Sequence, residues 1–301
     1  MISRRDFLKT GSAAAATAAF SSVNVLAEEA KKPVVAVAKG KPEELVKKVM
    51  SLLGGMQNFV KKGDRVVLKA NMGFPNPPEW GTTTHPAIVR ATAELCLDAG
   101  ASRVIIIDNP LRDGKVCKEK SGIGAAVENM KGVVIALLED PKFYQDTPVP
   151  GGKQLKTTAI AKEVLRANAI INVPTAKSHS ATGVSLGIKN LMGVIWDRKV
   201  MHEQMELNQA IADLLLVIKP TLTIVDCVYA LLTNGPGGPG TTDELNKVVA
   251  STDPVAADSY TVSLARWYNR EFKGAQVKHI KNAYDMGLGQ IDIDKMDVKI
   301  I

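Results

Sequence analysis

Short runs of β-branched residues alternate with segments of helical periodicity along this chain, and that alternation constrains its fold more than any other feature. We predict strands over residues 34–37, 65–69, 104–108, 133–138, 169–173 and 222–226, and helices over residues 42–53, 86–99, 208–218 and 254–268. Such alternation is typical of a mostly parallel sheet with helices on both faces, joined by right-handed crossovers. The sequence therefore predicts a Rossmann-like α/β fold.

The segment 139–158 interrupts this alternation with several prolines and glycines. Because both residues favour turns, we interpret the segment as an excursion from the sheet or a seam between two lobes. The remaining length is ample for a sizeable hydrophobic core. We predict one α/β domain over residues 28–301, preceded by a leader over residues 1–27.

The leader has the features of a twin-arginine export signal. Arg4 and Arg5 precede an alanine-rich apolar run over residues 13–25, which ends in the small-residue pattern Val25-Leu26-Ala27. The run is shorter than the roughly 20 residues that cross a bilayer. We therefore expect the twin-arginine translocase as a partner during export, a periplasmic or otherwise exported location, and a soluble mature protein without a membrane span. Because this pathway carries folded proteins, it also favours a bound cofactor.

Composition excludes some classes of function. The formal net charge is +7 at pH 7, and the basic residues are scattered rather than clustered, so we expect no nucleic-acid partner. The three cysteines, Cys96, Cys117 and Cys227, form no Cys-x-x-Cys pair. They do not support an iron–sulfur cluster or a cysteine zinc site supplied by this chain. One disulfide stays open, although the odd count gives it little support.

Polar residues follow several of the predicted strands at the point where each strand ends. They are Lys69 and Asn71, Asp108 and Asn109, residues 172–179, and Asp226. In open parallel sheets the carboxyl ends of the strands meet at one edge, where ligands bind. We therefore expect these residues to line one cleft.

The segment 172–193 carries the most chemistry. Small residues at 183, 185 and 187 allow backbone amides to approach an anion closely before a predicted helix start, and Lys177 and Lys189 add positive charge. His179 and His202 are suited to proton transfer or metal binding. His279 lies in a lysine-rich helical pattern, and we predict it to be a solvated surface residue.

At these positions the chain resembles the domain of unknown function 362 family. The resemblance covers about residues 33–270 and rests on Lys69-Ala70-Asn71, Asn172-Val173-Pro174, Lys177-Ser178-His179, Gly187 to Gly193, Ile224-Val225-Asp226, Gly235-Pro236 and Asp253 to Asp258. It implies a fold and a site without implying a reaction. Members are frequently fused to ferredoxin-like iron–sulfur modules, which this chain lacks the cysteines to form.

A shorter stretch is similar to the nickel-pincer lactate racemases. His179, Gly183-Val184-Ser185, Gly187, Lys189 and Gly193-Val194 carry this resemblance. It implies covalent attachment of a pincer cofactor to Lys189, a catalytic base at His179 and a metal ligand at His202. The chain has Asp108-Asn109-Pro110 after its third strand, where those enzymes have a histidine. A shared ancestral fold with a different ligand is the alternative.

Other motifs point elsewhere. Gly183-Val184-Ser185-Leu186-Gly187 matches the nucleophile elbow of serine hydrolases, whose triad would need His85 or His202 and Asp226 or Asp258. The predicted strand, however, ends ten residues earlier, at Val173. The sequence contains no P-loop, and Gly122-Ile123-Gly124 lacks the third glycine of a dinucleotide site. Residues 234–240 are a glycine–proline turn that could also serve as a lid, and Asp253 is typical of a helix N-cap.

These patterns predict an exported protein with a cleft lined by lysine, histidine and asparagine. We expect an enzyme or a cofactor-dependent protein that acts on a small anionic molecule, with catalytic roles for His179 and Lys189. The expected ligand-binding residues are Lys69, Asn71, Lys177, Asn190 and Asp226, and a metal ion would be held by His179 and His202. The alternative is a non-catalytic metal or cofactor carrier of a periplasmic redox system.

Overall fold

The structure, a computed structural model, describes residues 32–301. The predicted signal peptide and residues 28–31 lie outside the described residues. The strands are β1 (Val34–Lys39), β2 (Arg65–Ala70), β3 (Arg103–Asp108), β4 (Val133–Leu137), β5 (Tyr144–Pro148), β6 (Thr157–Ala161), β7 (Ala169–Val173), β8 (Thr175–His179), β9 (Gly183–Ser185), β10 (Leu222–Leu231), β11 (Thr242–Ser251), β12 (Arg266–Trp267), β13 (Arg270–Glu271) and β14 (Asp297–Ile300). The α-helices are α1 (Pro42–Leu52), α2 (Pro86–Asp98), α3 (Gly114–Lys120), α4 (Ile123–Val127), α5 (Lys162–Leu165), α6 (Gly187–Asn190), α7 (Arg198–Gln204), α8 (Leu207–Leu214), α9 (Pro254–Val262) and α10 (Lys278–Asp285).

One large sheet organises the described part of the chain. Its main path runs in the order β14-β1-β11-β10-β7-β2-β3-β4, and β8 pairs with both β10 and β9. Neighbours along the main path are parallel, except that β11 runs antiparallel to both β1 and β10. The mostly parallel α/β fold predicted from the sequence is therefore confirmed.

Alternate side chains of the central strands enter two separate hydrophobic clusters. In β2, Val67 belongs to one cluster, while Val66 and Leu68 belong to the other. This period of two follows from the pleat of a strand that is buried on both faces. Helices α1 to α4 cover the Val66 face, and α6 and α8 to α10 cover the Val67 face. The expected placement of helices on both faces is thus confirmed.

Several elements differ from the sequence prediction. The helix expected over residues 254–268 ends at Val262, and the chain then forms the short β12–β13 ribbon, with Tyr268 at a positive φ of 50°. The long strand β11 was not predicted, because its first half is polar and exposed. Strands β8, β9 and β14 were also not predicted.

The segment 139–158 contains β5, which forms an antiparallel hairpin with β6. Tyr144 of this hairpin is buried in the core and donates a hydrogen bond to the carbonyl oxygen of Leu138 at 2.7 Å. Asp213 of α8 accepts the backbone amides of Gln154 and Leu155, which ties the hairpin connection to the helical layer. Residues 32–301 form one compact unit that includes this segment.

The three cysteines lie in different parts of the core. Cys96 is in α2, Cys117 in α3 and Cys227 in β10, and each is free and fully buried. Burial raises the pKa of the Cys96 thiol to about 12 and the pKa of Cys227 well above its ordinary value. The described chain therefore holds its thiols protonated and inert.

The topology brings the predicted site residues to one edge of the sheet. Strands β3, β2 and β7 are parallel neighbours, so their carboxyl ends at Asp108, Ala70 and Val173 face the same side. The longer strand β10 continues past this level, and its Asp226 pairs with Thr175 just beyond the end of β7. Beyond β7, the β8–β9 hairpin extends this edge and returns the chain to Gly187, where α6 begins.

Candidate functional site

A cavity of about 410 Å³ opens at the carboxyl edge of the sheet. Its wall combines the loops after β2 and β3, the β8–β9 hairpin, α6, the start of α7 and Pro236 of the glycine–proline loop. This volume suits a small molecule. Of the residues that the sequence predicts for the site, Asn71, Lys177, His179, Lys189, Asn190 and His202 line the cavity.

A buried ion pair lies at the cavity floor, where Asp108 lines the cavity and Lys69 lies below it. Lys69 Nζ is 3.0 Å from Asp108 Oδ1, and both side chains are almost fully buried. Asp108 also accepts the backbone amides of Met72 at 2.6 Å and Asn109 at 2.9 Å. A side chain at Gly193 would clash with this pair, which explains the glycine there. The pair is therefore a closed structural unit with its charges satisfied internally.

Asn190 connects the ion pair to the cavity wall. Its Oδ1 accepts hydrogen bonds from Lys69 Nζ at 3.1 Å and from Asn71 Nδ2 at 2.9 Å. Its Nδ2 donates to Asn172 Oδ1 at 2.9 Å and to the carbonyl oxygen of Lys69 at 3.2 Å. Because both the oxygen and the nitrogen of the side-chain amide form hydrogen bonds, the orientation of Asn190 is fixed. These bonds also fix the orientation of α6 at its last residue.

Lys177 projects from β8 into the same wall. Its Nζ donates to Asn71 Oδ1 at 2.9 Å and to the carbonyl oxygen of Thr82 at 2.6 Å, and it lies 5.1 Å from the centre of the Phe74 ring. Burial lowers the pKa of Lys177 to about 7, with Lys189 and Lys69 as nearby like charges. Lys177 thus has neutral oxygen partners and no carboxylate partner among the described residues.

Lys189 is the buried lysine of α6. Its Nζ lies 3.2 Å from Met192 Sδ, and no oxygen or nitrogen acceptor in residues 32–301 reaches it. Burial lowers its pKa to about 7, and the neighbouring charge of Arg198 acts in the same direction. This amine is held in the cavity wall with only a weak acceptor beside it.

The two predicted histidines meet across the cavity. The ring centres of buried His179 and largely exposed His202 are 6.2 Å apart, and the rings lie within 19° of parallel. Burial, then the charge of Lys189, lowers the pKa of His179 to about 2, so its ring is neutral. Its Nδ1 accepts the backbone N–H of Ala181 at 3.1 Å, which places the remaining hydrogen on Nε2. His179 therefore offers a hydrogen-bond donor at Nε2.

Arg198, which the sequence analysis missed, lines the cavity at the start of α7. Its guanidinium donates to the carbonyl oxygens of Asn109 at 2.6 Å and Pro110 at 3.2 Å. Lys199 follows it on the exposed rim. The sequence feature that could have identified Arg198 and Lys199 as site residues is their position shortly after the segment 172–193. With Lys177 and Lys189, they give the described wall four basic residues against a single acidic one, Asp108.

Two predicted ligand-binding residues do not line the cavity. Lys69 is turned toward Asp108 and lies below the cavity floor. Asp226 accepts the backbone amides of His85 at 2.6 Å and Val228 at 2.9 Å, and burial raises its pKa to about 7. Lys69 lies next to the end of β2, whereas Asp226 lies in the middle of β10, which extends to Leu231 beyond the predicted strand end. The charged groups of both residues bond to neighbouring backbone and side chains.

Two further titratable residues are buried away from the cavity. Asp258 accepts the amides of Gly187 at 2.7 Å and Ile188 at 2.9 Å at the start of α6. His279 is fully buried instead of solvated, and neither ring nitrogen has a partner among the described residues. Burial lowers the pKa of His279 to about 3. Its helix is strongly amphipathic, and the histidine lies on the side that packs into the core.

Residues 32–301 contain no catalytic triad of the kind that the serine hydrolase alternative requires. The strand β9 does precede α6 directly, contrary to the expected ten-residue separation, and Ser185 lines the cavity. No hydrogen bond within residues 32–301 joins Ser185 to a histidine. His85 caps α2 by accepting the amide of Ala87 at 3.2 Å, and Asp226 and Asp258 are both occupied by backbone amides.

The described residues contain no group of three or more histidine, cysteine, aspartate or glutamate side chains placed to hold a metal ion. His179 and His202 supply two nitrogen donors at most, so a metal there would need further ligands from a bound molecule. No helix within residues 32–301 combines the length and apolarity needed to cross a membrane.

Comparisons with known proteins agree with the sequence motifs. Residues 1–21 match the twin-arginine translocation pathway signal sequence, so the chain is exported by that route. The chain is 30% identical over 215 residues to the thylakoid-associated protein sll1697 of Synechocystis sp. (strain ATCC 27184 / PCC 6803 / Kazusa), a match that covers 68% of this chain. It spans 64% of that relative's length, less than two thirds.

A solved structure gives a weaker match. The lactate racemase apoprotein from Thermoanaerobacterium thermosaccharolyticum is similar with a TM-score of 0.42 and 17% sequence identity, over 65% of this chain and 50% of that one. A similarity of this strength decides nothing about Lys189 or the histidines. The family is established by the match of residues 66–263 to the domain of unknown function DUF362. Together with the motifs at the carboxyl edge of the sheet, this match shows that the chain belongs to the DUF362 family.

Proposed function

We propose that the cavity binds a small anionic molecule, and that the protein is an enzyme or a cofactor-dependent protein acting on that anion. The observation that carries this proposal is the charge of the wall. Lys177, Lys189, Arg198 and Lys199 line it, while its single described carboxylate, Asp108, is neutralised by Lys69 and two backbone amides. Net positive charge in a low-dielectric recess attracts anions.

The hydrogen-bonding groups favour the same type of ligand. The Arg198 guanidinium presents a planar array of donors that matches a carboxylate or phosphate. Neutral His179 adds an Nε2–H donor. An anion that enters the cavity would also favour the protonated forms of Lys177 and Lys189, so we expect binding to take up protons near pH 7.

Calorimetric titration of the purified exported protein with oxalate and with inorganic phosphate tests this proposal. We expect one anion site per chain, an affinity that falls with added salt, and a loss of about tenfold or more in Lys189→Met, which corresponds to ~1.4 kcal/mol. Lys142→Met, which removes an exposed lysine remote from the cavity, is the matched control. Equal affinity in wild type and Lys189→Met would contradict the proposal.

A metal or cofactor carrier is the second candidate, and the facing rings of His179 and His202 favour it. Four basic residues in the same wall disfavour a bare dication there, so a carried metal would have to arrive with anionic ligands. Metal analysis and intact mass of the exported protein distinguish the two candidates. Stoichiometric metal that is lost in His202→Ala, or mass added at Lys189, supports a cofactor site.

A further inference from the structure

Lys189 differs from the other two buried lysines near the cavity. Lys69 has Asp108 and Asn190 as partners, and Lys177 has Asn71 and the carbonyl oxygen of Thr82. Within the described residues, the Met192 thioether is the only hydrogen-bond partner of Lys189 Nζ. A thioether is a weak acceptor, so this environment provides little that would stabilise an ammonium ion.

The surroundings of Lys189 favour the neutral amine. The side chain is 8% exposed, and the nearby guanidinium of Arg198 disfavours a second positive charge. Its pKa of about 7 means that a large share of the molecules carries an unprotonated amine at neutral pH. Such an amine has a free lone pair and is a nucleophile, as are the lysines that form imines in other proteins.

The cavity places two further kinds of group beside this amine. Arg198, Lys177 and Lys199 are suited to hold a carboxylate. His179 in the same wall carries an Nε2–H donor, a group that is suited to polarise a carbonyl oxygen. We propose that Lys189 condenses with the carbonyl group of a small 2-oxo acid to form an imine, which is a specific form of the anion binding proposed above.

The condensation balances without any oxidant or reductant. The lone pair of Lys189 Nζ forms a bond to the carbonyl carbon, and the π-electron pair moves to the oxygen, which accepts the hydrogen bond of His179. One amine hydrogen moves to this oxygen to give a carbinolamine. The C–O bond then breaks, the second amine hydrogen leaves with the oxygen as water, and a C=N bond remains.

Reductive trapping tests the proposal directly. The exported protein is incubated with pyruvate and sodium cyanoborohydride, and the product is analysed by intact mass and peptide mapping. We expect one stable adduct per chain, located on Lys189. The adduct should be lost in Lys189→Met and kept in Lys142→Met, which removes an exposed lysine remote from the cavity. Peptide mapping of the wild-type adduct gives the location even if Lys189→Met folds poorly.

The oxalate titration separates failure of this proposal from failure of the anion site, because oxalate has no ketone or aldehyde carbonyl with which an amine forms an imine. If oxalate binds but pyruvate gives no adduct, or gives adducts spread over exposed lysines, the imine is overturned and the anion site stands. If oxalate does not bind and no adduct forms, both proposals fail.

Discussion

At the residue scale, the charged groups of this site divide into those that build it and those that face a ligand. Lys69 and Asp108 neutralise each other at the cavity floor, and Asn190 joins them to the wall. Sequence alone could not distinguish Lys69 from Lys189, because both follow the same pattern of a lysine near a strand end or helix start. The difference arises from Asp108, a partner 39 positions away from Lys69.

Removing one member of this pair should destabilise the fold. In Asp108→Asn, Lys69 keeps its burial but loses its counter-ion, and the amide of Met72 loses a charged acceptor. We expect the free energy of unfolding to fall by about 3 kcal/mol, since an uncompensated buried charge remains. Denaturant unfolding measures this loss. In the double variant Lys69→Met/Asp108→Asn the loss should be smaller than the sum of the two single losses, and strict additivity would show that the pair is not coupled.

At the element scale, the short helix α6 contributes two central residues of the cavity wall. It holds both Lys189 and Asn190, yet four residues cannot form a stable helix alone. Its start is held by Asp258 of α9, which accepts two of its backbone amides. Asp258 thus acts as a positioning residue for the amine that we place in the cavity.

Asp258→Asn should weaken both stability and anion binding. An asparagine can accept only one of the two amides, and a buried unsatisfied amide costs about 1–3 kcal/mol. Asp213→Asn is the control, because Asp213 is also fully buried and accepts two backbone amides, from Gln154 and Leu155, away from the cavity. Both of those amides donate to the same oxygen, so an asparagine oxygen can keep both, and we expect a smaller loss of unfolding free energy than in Asp258→Asn. We expect weaker oxalate affinity in Asp258→Asn alone. Equal oxalate affinities in the two variants would contradict the positioning role of Asp258.

Elements with a strong local pattern were predictable, and those that depend on partners were not. β2 and β3 are continuous apolar runs, and Pro86 marks the start of α2. By contrast, β8 contains Lys177, Ser178 and His179, a polar run that becomes a strand only because β10 and β9 pair with it. Its buried polar side chains therefore belong to the site, and this is why the polar segment 172–179 was predicted as a site and missed as a strand.

At the scale of the whole molecule, the buried lysines should give folding a measurable pH dependence. Folding lowers the pKa of Lys177 and Lys189 from the ordinary value of 10.5 to about 7. Above pH 7, the unfolded chain therefore binds more protons than the folded chain, so the free energy of unfolding rises with pH. The rise is clearest at about pH 7.5–8, because most of the Asp226 and Asp258 carboxyls, with their raised pKa values, are then ionised, and the thiols of the unfolded chain, with an ordinary pKa of about 8.5, are still mostly protonated.

Denaturant unfolding at several pH values in this window checks the expectation. The increase should be smaller in Lys189→Met, which removes one of the shifted amines. Lys199→Met should keep the wild-type slope, because that lysine is exposed. A wild-type slope that is flat or negative at about pH 7.5–8 would mean that the buried amines keep their protons in the folded state.

The cavity at the carboxyl edge of the sheet could be predicted, because fold topology places strand ends together whatever their side chains are. The residues of the cavity wall were harder to predict from the sequence. Arg198 enters it from α7, through hydrogen bonds to the carbonyl oxygens of Asn109 and Pro110 on another loop. Contacts of this kind join positions that are distant in sequence and lack any local pattern, so only the assembled molecule reveals them.

The burial of all three cysteines has a consequence for the life of the protein after export. The twin-arginine signal implies that the chain crosses the membrane already folded. Cys96, Cys117 and Cys227 are then enclosed before they meet an oxidising compartment. The three cysteines therefore stay reduced, as they were in the cytoplasm where the chain folded. Exposed thiols would form disulfides in the compartment that the protein enters.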